Sequence, residues 1–326
     1  MIEEVFQDIF KMEIPIPDNP LRATNSYVVM SDDRFLIIDT GMNREECMER
    51  MESSLKELEV DLSRTDFFIT HSHSDHIGLV SELKRDGSKL FFNSPDAEVL
   101  QDPTHWTKLA AFAAVNGFPE AEAAIQRHPG RKYLFRGPLN FKLLREGDEI
   151  RIGEYHFECL ETPGHTRGHI CLYEPRTKIL FSGDHILGEI TPNISRWAEG
   201  TDPLGEYLNS LKKMGEYDIR LVLPGHRNLF GNPAQRIKEL IDHHDTRSKE
   251  ILSILENGRQ SAYQVATQMT WDIDCEFWVD FPLPQKWFAT GETLSHLQHL
   301  EKKGVVKREW RQGRAFYSLA GGMDPP

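Results

Sequence analysis

The chain has 326 residues, a formal net charge of −13 and a pI near 5.6. This length accommodates one large α/β domain and a small appended module, and the acidic balance argues against a broadly basic nucleic-acid surface. The four cysteines are widely separated, the N-terminus has no signal-peptide pattern, and no stretch is apolar enough to cross a bilayer. We therefore expect a full-length cytoplasmic protein.

Strand and helix periodicities alternate through the first 130 residues. In chain order they predict strands at residues 27–30 and 35–38, a helix at 44–58, a strand at 66–70 and a helix at 78–85. From about residue 94 to residue 130 the sequence is alanine-rich and helical. This segment indicates a helical insertion between strands.

Strand patterns resume after the insertion and later give way to helices. They predict strands at residues 141–144, 156–160, 169–173, 179–181 and 221–223, and a long helix at 234–255. Such alternation is typical of a layered α/β domain, which we place at residues 1–245. Two helical patterns followed by a hairpin around Gln312 and Gly313 indicate a winged-helix domain at residues 246–326.

Four segments each begin with an apolar strand and end in residue types that bind metals. The first, residues 70–76, reads Thr-His-Ser-His-Ser-Asp-His, and the others end at His165, Asp184 and His226. Imidazole and carboxylate together suit zinc, iron or manganese. A surface string of histidines is the alternative interpretation of the first segment, and three further matching segments count against it.

The spacing within the first segment offers places for two metals. His71 and His73 alternate on a short turn after a strand, so they can point to one side. Asp75 and His76 then turn towards a neighbouring point.

Together the four segments resemble the signature of the metallo-β-lactamase superfamily, in the same order, across residues 25–230. The resemblance implies an αββα sandwich with a dinuclear metal site. It implies that His71, His73 and His165 hold the first metal, that Asp75, His76 and His226 hold the second, and that Asp184 bridges them. The Asp39-Thr40-Gly41 turn also matches this family, in which the aspartate orients a histidine; an ordinary turn aspartate is the alternative.

A closer resemblance links the chain to the lactamase-beta-2-like branch of the superfamily. Residues 181–188, the helix around 207–211 and the C-terminal winged helix carry it, so that it covers nearly the whole chain. That branch includes single-strand-specific endoribonucleases and acyl thioesterases, and its architecture therefore leaves the substrate open. Leu79 follows Gly78 where a second glycine is expected, which counts slightly against a nuclease.

The expected cofactors are two divalent metal ions, with Zn²⁺ first and Mn²⁺ or Fe as alternatives. They lower the pKa of a shared water from ~15.7 towards ~7 and so provide a hydroxide nucleophile. We predict catalytic roles for Asp75, Asp184 and His185, the last as proton donor to the leaving group, with a packed histidine as the alternative. His169 is expected to orient a ligand through a hydrogen bond.

These features predict a hydrolase that cleaves a small-molecule ester, thioester or lactone. The first alternative is a single-strand-specific endoribonuclease, favoured by basic residues at 302–314, although such a run is usually a solvated face. A mononuclear-iron dioxygenase of the same fold is a further alternative, and a DNA-binding sensor is a fourth. A small molecule is the expected partner, nucleic acid is less favoured, no membrane is expected, and a homo-oligomer is left open.

Overall fold

The computed structural model describes residues 2–196, 198–275 and 277–321. The chain forms two compact units. The first unit comprises residues 1–102, 129–192 and 210–237, and the second comprises residues 103–128, 193–209 and 238–326. Most of the helical insertion therefore belongs with the C-terminal segment, whereas the sequence analysis placed it in a first domain of residues 1–245. The two consecutive domains, 1–245 and 246–326, stay a prediction.

The larger sheet of the first unit has seven strands in sequence order. They are β1 (Ile2–Phe6), β2 (Ile9–Pro15), β3 (Ala23–Met30), β4 (Phe35–Ile38), β5 (Thr65–Phe68), β6 (Leu90–Asn93) and β7 (Lys142–Leu144). Strands β1 to β4 pair antiparallel, and β4 to β7 pair parallel. The predicted strands at residues 27–30 and 35–38 lie within β3 and β4, so both predictions are confirmed.

The second sheet has five strands in the order β12, β11, β10, β9, β8. They are β8 (Glu149–Ile152), β9 (Tyr155–Glu161), β10 (Ile170–Glu174), β11 (Ile179–Gly183) and β12 (Leu221–Pro224). All neighbours pair antiparallel except β11 and β12, which are parallel. This parallel pair is important for the site because it brings the carboxyl ends of two strands to the same edge.

The two sheets pack face to face through a shared apolar core. Tyr27, Val29 and Ile38 of the first sheet and Phe157 and Phe181 of the second belong to this core. Alternate residues of β3 and β4, such as Val28 and Ile37, point to the opposite face of the first sheet, where they join a second core with helical residues. The result is the layered α/β arrangement that the sequence predicted.

Helices occur between the strands of both sheets and through the second unit. They are α1 (Glu45–Glu57), α2 (Ser74–Ile77), α3 (Val80–Leu83), α4 (Ser94–Gln101), α5 (His105–Val115), α6 (Ala121–Arg127), α7 (Pro129–Lys132), α8 (Pro203–Met214), α9 (Pro233–Leu255), α10 (Ala262–Ala266) and α11 (Leu283–Lys302). The helix predicted at residues 78–85 is present as the shorter α3, and α2 is an additional helical turn within the histidine cluster. No helix among the described residues combines the length and apolarity needed to span a membrane.

The second unit is built around aromatic and aliphatic packing. Phe118 of the insertion lies with its ring centroid 5.5 Å from that of Trp287 in α11, and Trp287 is only 1% exposed. Strands β13 (Val306–Arg311) and β14 (Arg314–Leu319) form an antiparallel hairpin, in which Gln312 and Gly313 both have positive φ, as a type I′ turn requires. The winged-helix assignment stays a prediction.

Candidate metal centre

The predicted ligands lie at the carboxyl ends of strands. Asp184 directly follows β11, and His226 lies two residues after the end of the parallel neighbour β12. The backbone N–H of Gly225 donates to the carbonyl of Gly183 at 2.8 Å, which fixes these two strand ends against each other. His71 follows β5 in the other sheet, and the N–H of Ile170 donates to the neighbouring Thr70 carbonyl at 2.9 Å. These backbone bonds bring ligands from both sheets to one place.

The structure gathers all seven predicted ligands into overlapping groups. Within each group the potential ligand atoms lie within 4.8 Å of one another. The groups are His71, His73 and His165; His71, His76 and Asp184; and Asp75, His76 and His226. The division of these ligands between two metals stays a prediction, and the shared members make two adjacent half-sites a natural interpretation.

Distances within the cluster fit atoms that share a cation. Nε2 of His226 lies 3.4 Å from Oδ2 of both Asp75 and Asp184. Oδ1 of Asp184 lies 3.5 Å from Nε2 of His76, while its Oδ2 lies 3.6 Å from Nε2 of His165. Ligands at about 2.1 Å from a tetrahedral metal are separated by roughly 3.4 Å. The carboxylate of Asp184 therefore lies near histidines of both predicted ligand sets.

Several buried ligand atoms have no hydrogen-bond partner among the described residues. They are Nε2 of His71, His76 and His226, and Oδ1 of Asp184. A buried polar atom without a partner is costly, so native structures rarely leave several together. Imidazole nitrogens and carboxylate oxygens are the donors that zinc and related divalent metals prefer. The residues present thus fit a metal centre.

The electrostatics of the cluster favour positive charge. Burial lowers the pKa of His226, but the carboxylates of Asp184 and Asp75 outweigh burial and raise it to about 10. Burial also lowers the pKa of His76, but the carboxylates of Asp184 and Asp39 outweigh burial and raise this pKa well above its usual value. The pKa of Asp184 is held well below its usual range by His226 and His76, although burial acts in the other direction. Ionised carboxylates of this kind attract a cation into the cluster.

Asp39 orients His76 from behind. Its Oδ2 accepts a hydrogen bond from Nδ1 of His76 at 2.8 Å, which leaves Nε2 facing the other ligands. Asp39 also accepts bonds at 2.8 Å from the backbone N–H and the hydroxyl of Thr70, immediately before His71. It has a φ of 57°, a conformation that aspartate adopts more readily than most residues. These contacts agree with the orienting role that the family resemblance implied.

His169 orients a ligand without joining the ligand groups. Its Nε2 accepts a hydrogen bond from the backbone N–H of Asp184 at 3.1 Å, and its Nδ1 lies 2.7 Å from the hydroxyl oxygen of Thr162. An Nδ1–H tautomer satisfies both contacts. The structure thus contains a hydrogen bond of the predicted kind, and the role of His169 in orienting a metal ligand stays a prediction.

His185 is completely buried beside the cluster. Its ring centroid lies 6.0 Å from that of His169, and burial lowers its pKa to about 3. A neutral, enclosed imidazole favours the packed histidine that the sequence analysis gave as an alternative. The role of His185 as proton donor stays a prediction.

The sequence analysis missed two residues that hold the ligand loops. The side-chain amide of Asn25 donates to the carbonyls of Pro224 at 3.0 Å and Arg227 at 2.8 Å, on either side of His226. The sequence carried little signal for it, because Asn25 stands between two other polar residues, Thr24 and Ser26, in β3. Asp96, the third residue of α4, is buried and contacts two ligand loops. Its signal was hidden, because an aspartate in the first turn of a helix is common.

Comparison with known proteins identifies a matching family and several relatives. The sequence profile of the Metallo-beta-lactamase superfamily matches residues 19–226. A Bacillus subtilis protein named "Probable metallo-hydrolase YqjP" is 24% identical over 327 residues, covering 95% of this chain and 98% of the relative. A Drosophila melanogaster protein named "Beta-lactamase-like protein 2 homolog" is 28% identical over 300 residues, covering 91% and 88% respectively.

A solved structure and a further relative extend the comparison. A metallo-beta-lactamase family protein of Thermus thermophilus superposes with a TM-score of 0.83 at 24% identity, covering 97% of this chain and 100% of that chain, which shows a shared fold. An Aspergillus fumigatus protein named "Atrochrysone carboxyl ACP thioesterase" is 25% identical over 237 residues, covering 73% of this chain and 61% of the relative.

Proposed function

This chain belongs to the metallo-beta-lactamase superfamily and is a metallo-hydrolase, and on that premise we propose that it cleaves a thioester, ester or lactone of a small molecule at a dinuclear metal site. The observation that carries the proposal is the convergence of buried imidazole and carboxylate atoms that have no hydrogen-bond partner among the described residues. Nothing in the packing of the two sheets, as far as the structure describes them, requires seven imidazole and carboxylate side chains in one place.

We assign the ligands to two half-sites. One is formed by His71, His73 and His165, the other by Asp75, His76 and His226, with Asp184 facing both. Bound there, divalent cations, Zn²⁺ in first place, supply Lewis acidity and lower the pKa of water towards neutrality.

The protein's own contribution is to hold the ligand atoms in one protonation and rotameric state. Asp39 keeps the His76 proton on Nδ1, and the carbonyl of Ala23 accepts from Nδ1 of His226 at 2.8 Å. In both histidines the Nε2 atom is therefore left to face the ligand cluster. The N–H of Asp184 is held by His169, which fixes the backbone of the carboxylate that faces both half-sites.

Thioesters head the substrate classes because a relative is named as a thioesterase. Thioesters, esters and lactones are all hydrolysed by attack at a carbonyl carbon, so the same metal centre serves all three classes of substrate. The acidic net charge of −13 already favoured a small-molecule ester, thioester or lactone over nucleic acid as the substrate. The ion pairs of basic side chains in the second unit add support for this choice.

Several basic residues of the C-terminal hairpin pair with acidic side chains. Arg308 lies 2.8 Å from Glu199 and 3.3 Å from Glu301, while Lys307 and Arg311 both pair with Glu309, at 3.2 and 3.4 Å. Paired charges cancel much of the potential that would attract a polyanion. This observation counts against the endoribonuclease and DNA-binding alternatives. A cytoplasmic location remains part of the proposal, supported by four free cysteines.

The test combines metal analysis with a substrate panel. Gently purified protein is assayed for zinc, manganese and iron, then for hydrolysis of acyl-CoA thioesters, a lactone, an aryl ester, a phosphodiester and single-stranded RNA. We expect about two zinc or manganese ions per chain and chelator-sensitive cleavage of a thioester, ester or lactone.

The matched variants are Asp184→Asn and Asp148→Asn, which make the same chemical change at the site and on an exposed turn. Only the first should abolish cleavage. Cleavage of RNA alone would overturn the substrate class, and a single iron without hydrolysis would point to the dioxygenase alternative.

A further inference from the structure

A buried carboxylate next to the metal centre belongs to no ligand group. Asp96, on helix α4, is 1% exposed. Its Oδ2 accepts hydrogen bonds from the backbone N–H of Ser72 and the hydroxyl of Thr166, both at 2.8 Å, and its Oδ1 accepts one from the N–H of Gly168 at 2.7 Å. All three donors lie on loops that carry predicted metal ligands.

The donors mark out one half-site. Ser72 stands between His71 and His73, and Thr166 directly follows His165. These three histidines form one of the ligand groups, and two of them are partly exposed, whereas the members of the other groups are buried. Asp96 therefore ties together the two loops that supply the more exposed half-site.

The chain backbone is shaped to admit this carboxylate. A Cβ atom on Gly168 would lie 2.6 Å from the backbone nitrogen of Asp96 and 2.8 Å from its Cγ. Only a glycine allows the loop after His165 to come this close. Three short hydrogen bonds to one carboxylate are charge-assisted, and they replace the water that burial removes.

The other half-site has anchors of its own. Asp39 holds His76, and Asn25 holds the loop that carries His226. Within the described part of the chain, the hydrogen bonds of Asp96 go to Ser72, Thr166 and Gly168, and none of these residues is in the second group. Asp39 also bonds to Thr70 beside His71 and so reaches both half-sites, whereas the three bonds of Asp96 reach only the loops that carry His71, His73 and His165.

From the placement of these three bonds we infer that Asp96 is a positioning residue that sets the metal affinity of the His71, His73 and His165 half-site alone. The inference rests on the proposed dinuclear site. Residues that orient metal ligands typically contribute ~10- to 100-fold to metal affinity. An asparagine at position 96 keeps the size of the side chain but turns one acceptor into a donor. It would face the N–H of Ser72 or of Gly168 with an NH₂ group.

The experiment measures zinc binding in two steps. Metal-stripped full-length protein is titrated with Zn²⁺ in competition with a chelating dye, and His73→Ala and His226→Ala identify which step belongs to which half-site. We expect Asp96→Asn to weaken the step that His73→Ala removes by ~10- to 100-fold and to leave the other step unchanged. Glu98→Gln is the matched control, because Glu98 is an exposed carboxylate on the same helix.

A milder pair of variants keeps the test decisive if Asp96→Asn fails to fold. Thr166→Val removes one of the three donors and should weaken the same step by a smaller factor, whereas Thr166→Ser retains the hydroxyl and should restore it. Circular dichroism and thermal unfolding of the metal-free proteins show whether the fold is intact.

Equal weakening of both zinc steps, no weakening of either, or uptake of a single zinc ion by the wild-type protein would each overturn the inference. Failure of the proposed function looks different. In that case the wild-type protein binds two zinc ions and shows the step-specific loss in Asp96→Asn, yet cleaves nothing on the substrate panel.

Discussion

Gly225 lies between two strand ends at the metal centre and leaves no room for a side chain. A Cβ atom at this position would lie 2.5 Å from Oδ1 of Asp184 and 2.9 Å from Cε1 of His76. The backbone of Gly225 is fixed on both sides, because its N–H donates to the Gly183 carbonyl at 2.8 Å and its carbonyl accepts from the N–H of Asn25 at 2.7 Å. In Gly225→Ala the carboxylate and the imidazole must therefore move.

The size of the shift follows from the contact distance. An ordinary non-bonded contact is about 3.5 Å, so Oδ1 of Asp184 has to retreat by about 1 Å. Functional sites tolerate displacements of about 0.5 Å, and misplacement by about 1 Å can cost ~100-fold. We expect Gly225→Ala to lose ~100-fold in zinc affinity and a comparable factor in hydrolysis. Overpacking should also destabilise the metal-free protein by about 1–3 kcal/mol.

The assay compares Gly225→Ala with Gly215→Ala. The nearest atom to a Cβ on Gly215, leaving aside its own chain neighbours, is the backbone carbonyl oxygen of Lys212, at 3.2 Å, and the position lies at the end of α8, outside the ligand loops. Zinc affinity is measured by chelator competition, and unfolding of the metal-free proteins is measured by denaturant titration. Wild-type zinc affinity in a folded Gly225→Ala protein would refute the argument that this close approach sets the ligand geometry.

Three further variants test other parts of the structure. In Asp39→Asn, an amide NH₂ facing Nδ1 of His76 would move the imidazole proton to Nε2. Zinc affinity, measured by titration, should therefore fall ~10- to 100-fold, while the fold should be retained because asparagine tolerates this positive φ. Because His185 is completely buried, His185→Gln should lower the unfolding temperature, while kcat of the zinc-loaded protein should stay within about tenfold of the wild-type value. A fall in kcat of ~100-fold or more at normal metal content would instead support the role of His185 as proton donor. Glu292 is enclosed near Arg247, and burial raises the pKa of Glu292 from 4.5 to about 7. Between these pH values the folded state binds more protons than the unfolded state, so the free energy of unfolding falls as the pH rises from 4.5 to about 7. Unfolding free energies at about pH 5 and pH 8 should show this fall, by an amount on the order of 3 kcal/mol, in the wild type relative to Glu292→Gln, and equal pH dependence in both would contradict it.

The candidate metal ligands were accessible to sequence analysis because each is encoded locally. An apolar strand that ends within three residues of His71 or directly before Asp184 is a short pattern, and the structure brings all seven predicted ligands together. The two-residue turn at Gln312 and Gly313 was equally local, because its backbone conformation depends on the residues themselves.

Contacts between distant parts of the chain were hidden from the sequence. Asp96 bonds to Gly168, 72 residues away, and its position in the first turn of a helix gave no sign of this partner. Most of the helical insertion belongs with the C-terminal segment, because aromatic residues such as Phe118 pack against Trp287. The order of elements along the sequence had placed the insertion in the first domain. Likewise, the sequence did not show that Glu199 and Glu301 pair with Arg308, which belongs to the basic run at residues 302–314.

The sequence by itself determined which residues are candidate metal ligands, because strand ends and ligand types follow each other along the chain within a few residues. Only the tertiary structure decided which side chains hold those ligands in place and which charges cancel. Those properties depend on burial and on distances across the fold, and residues far apart in sequence set both.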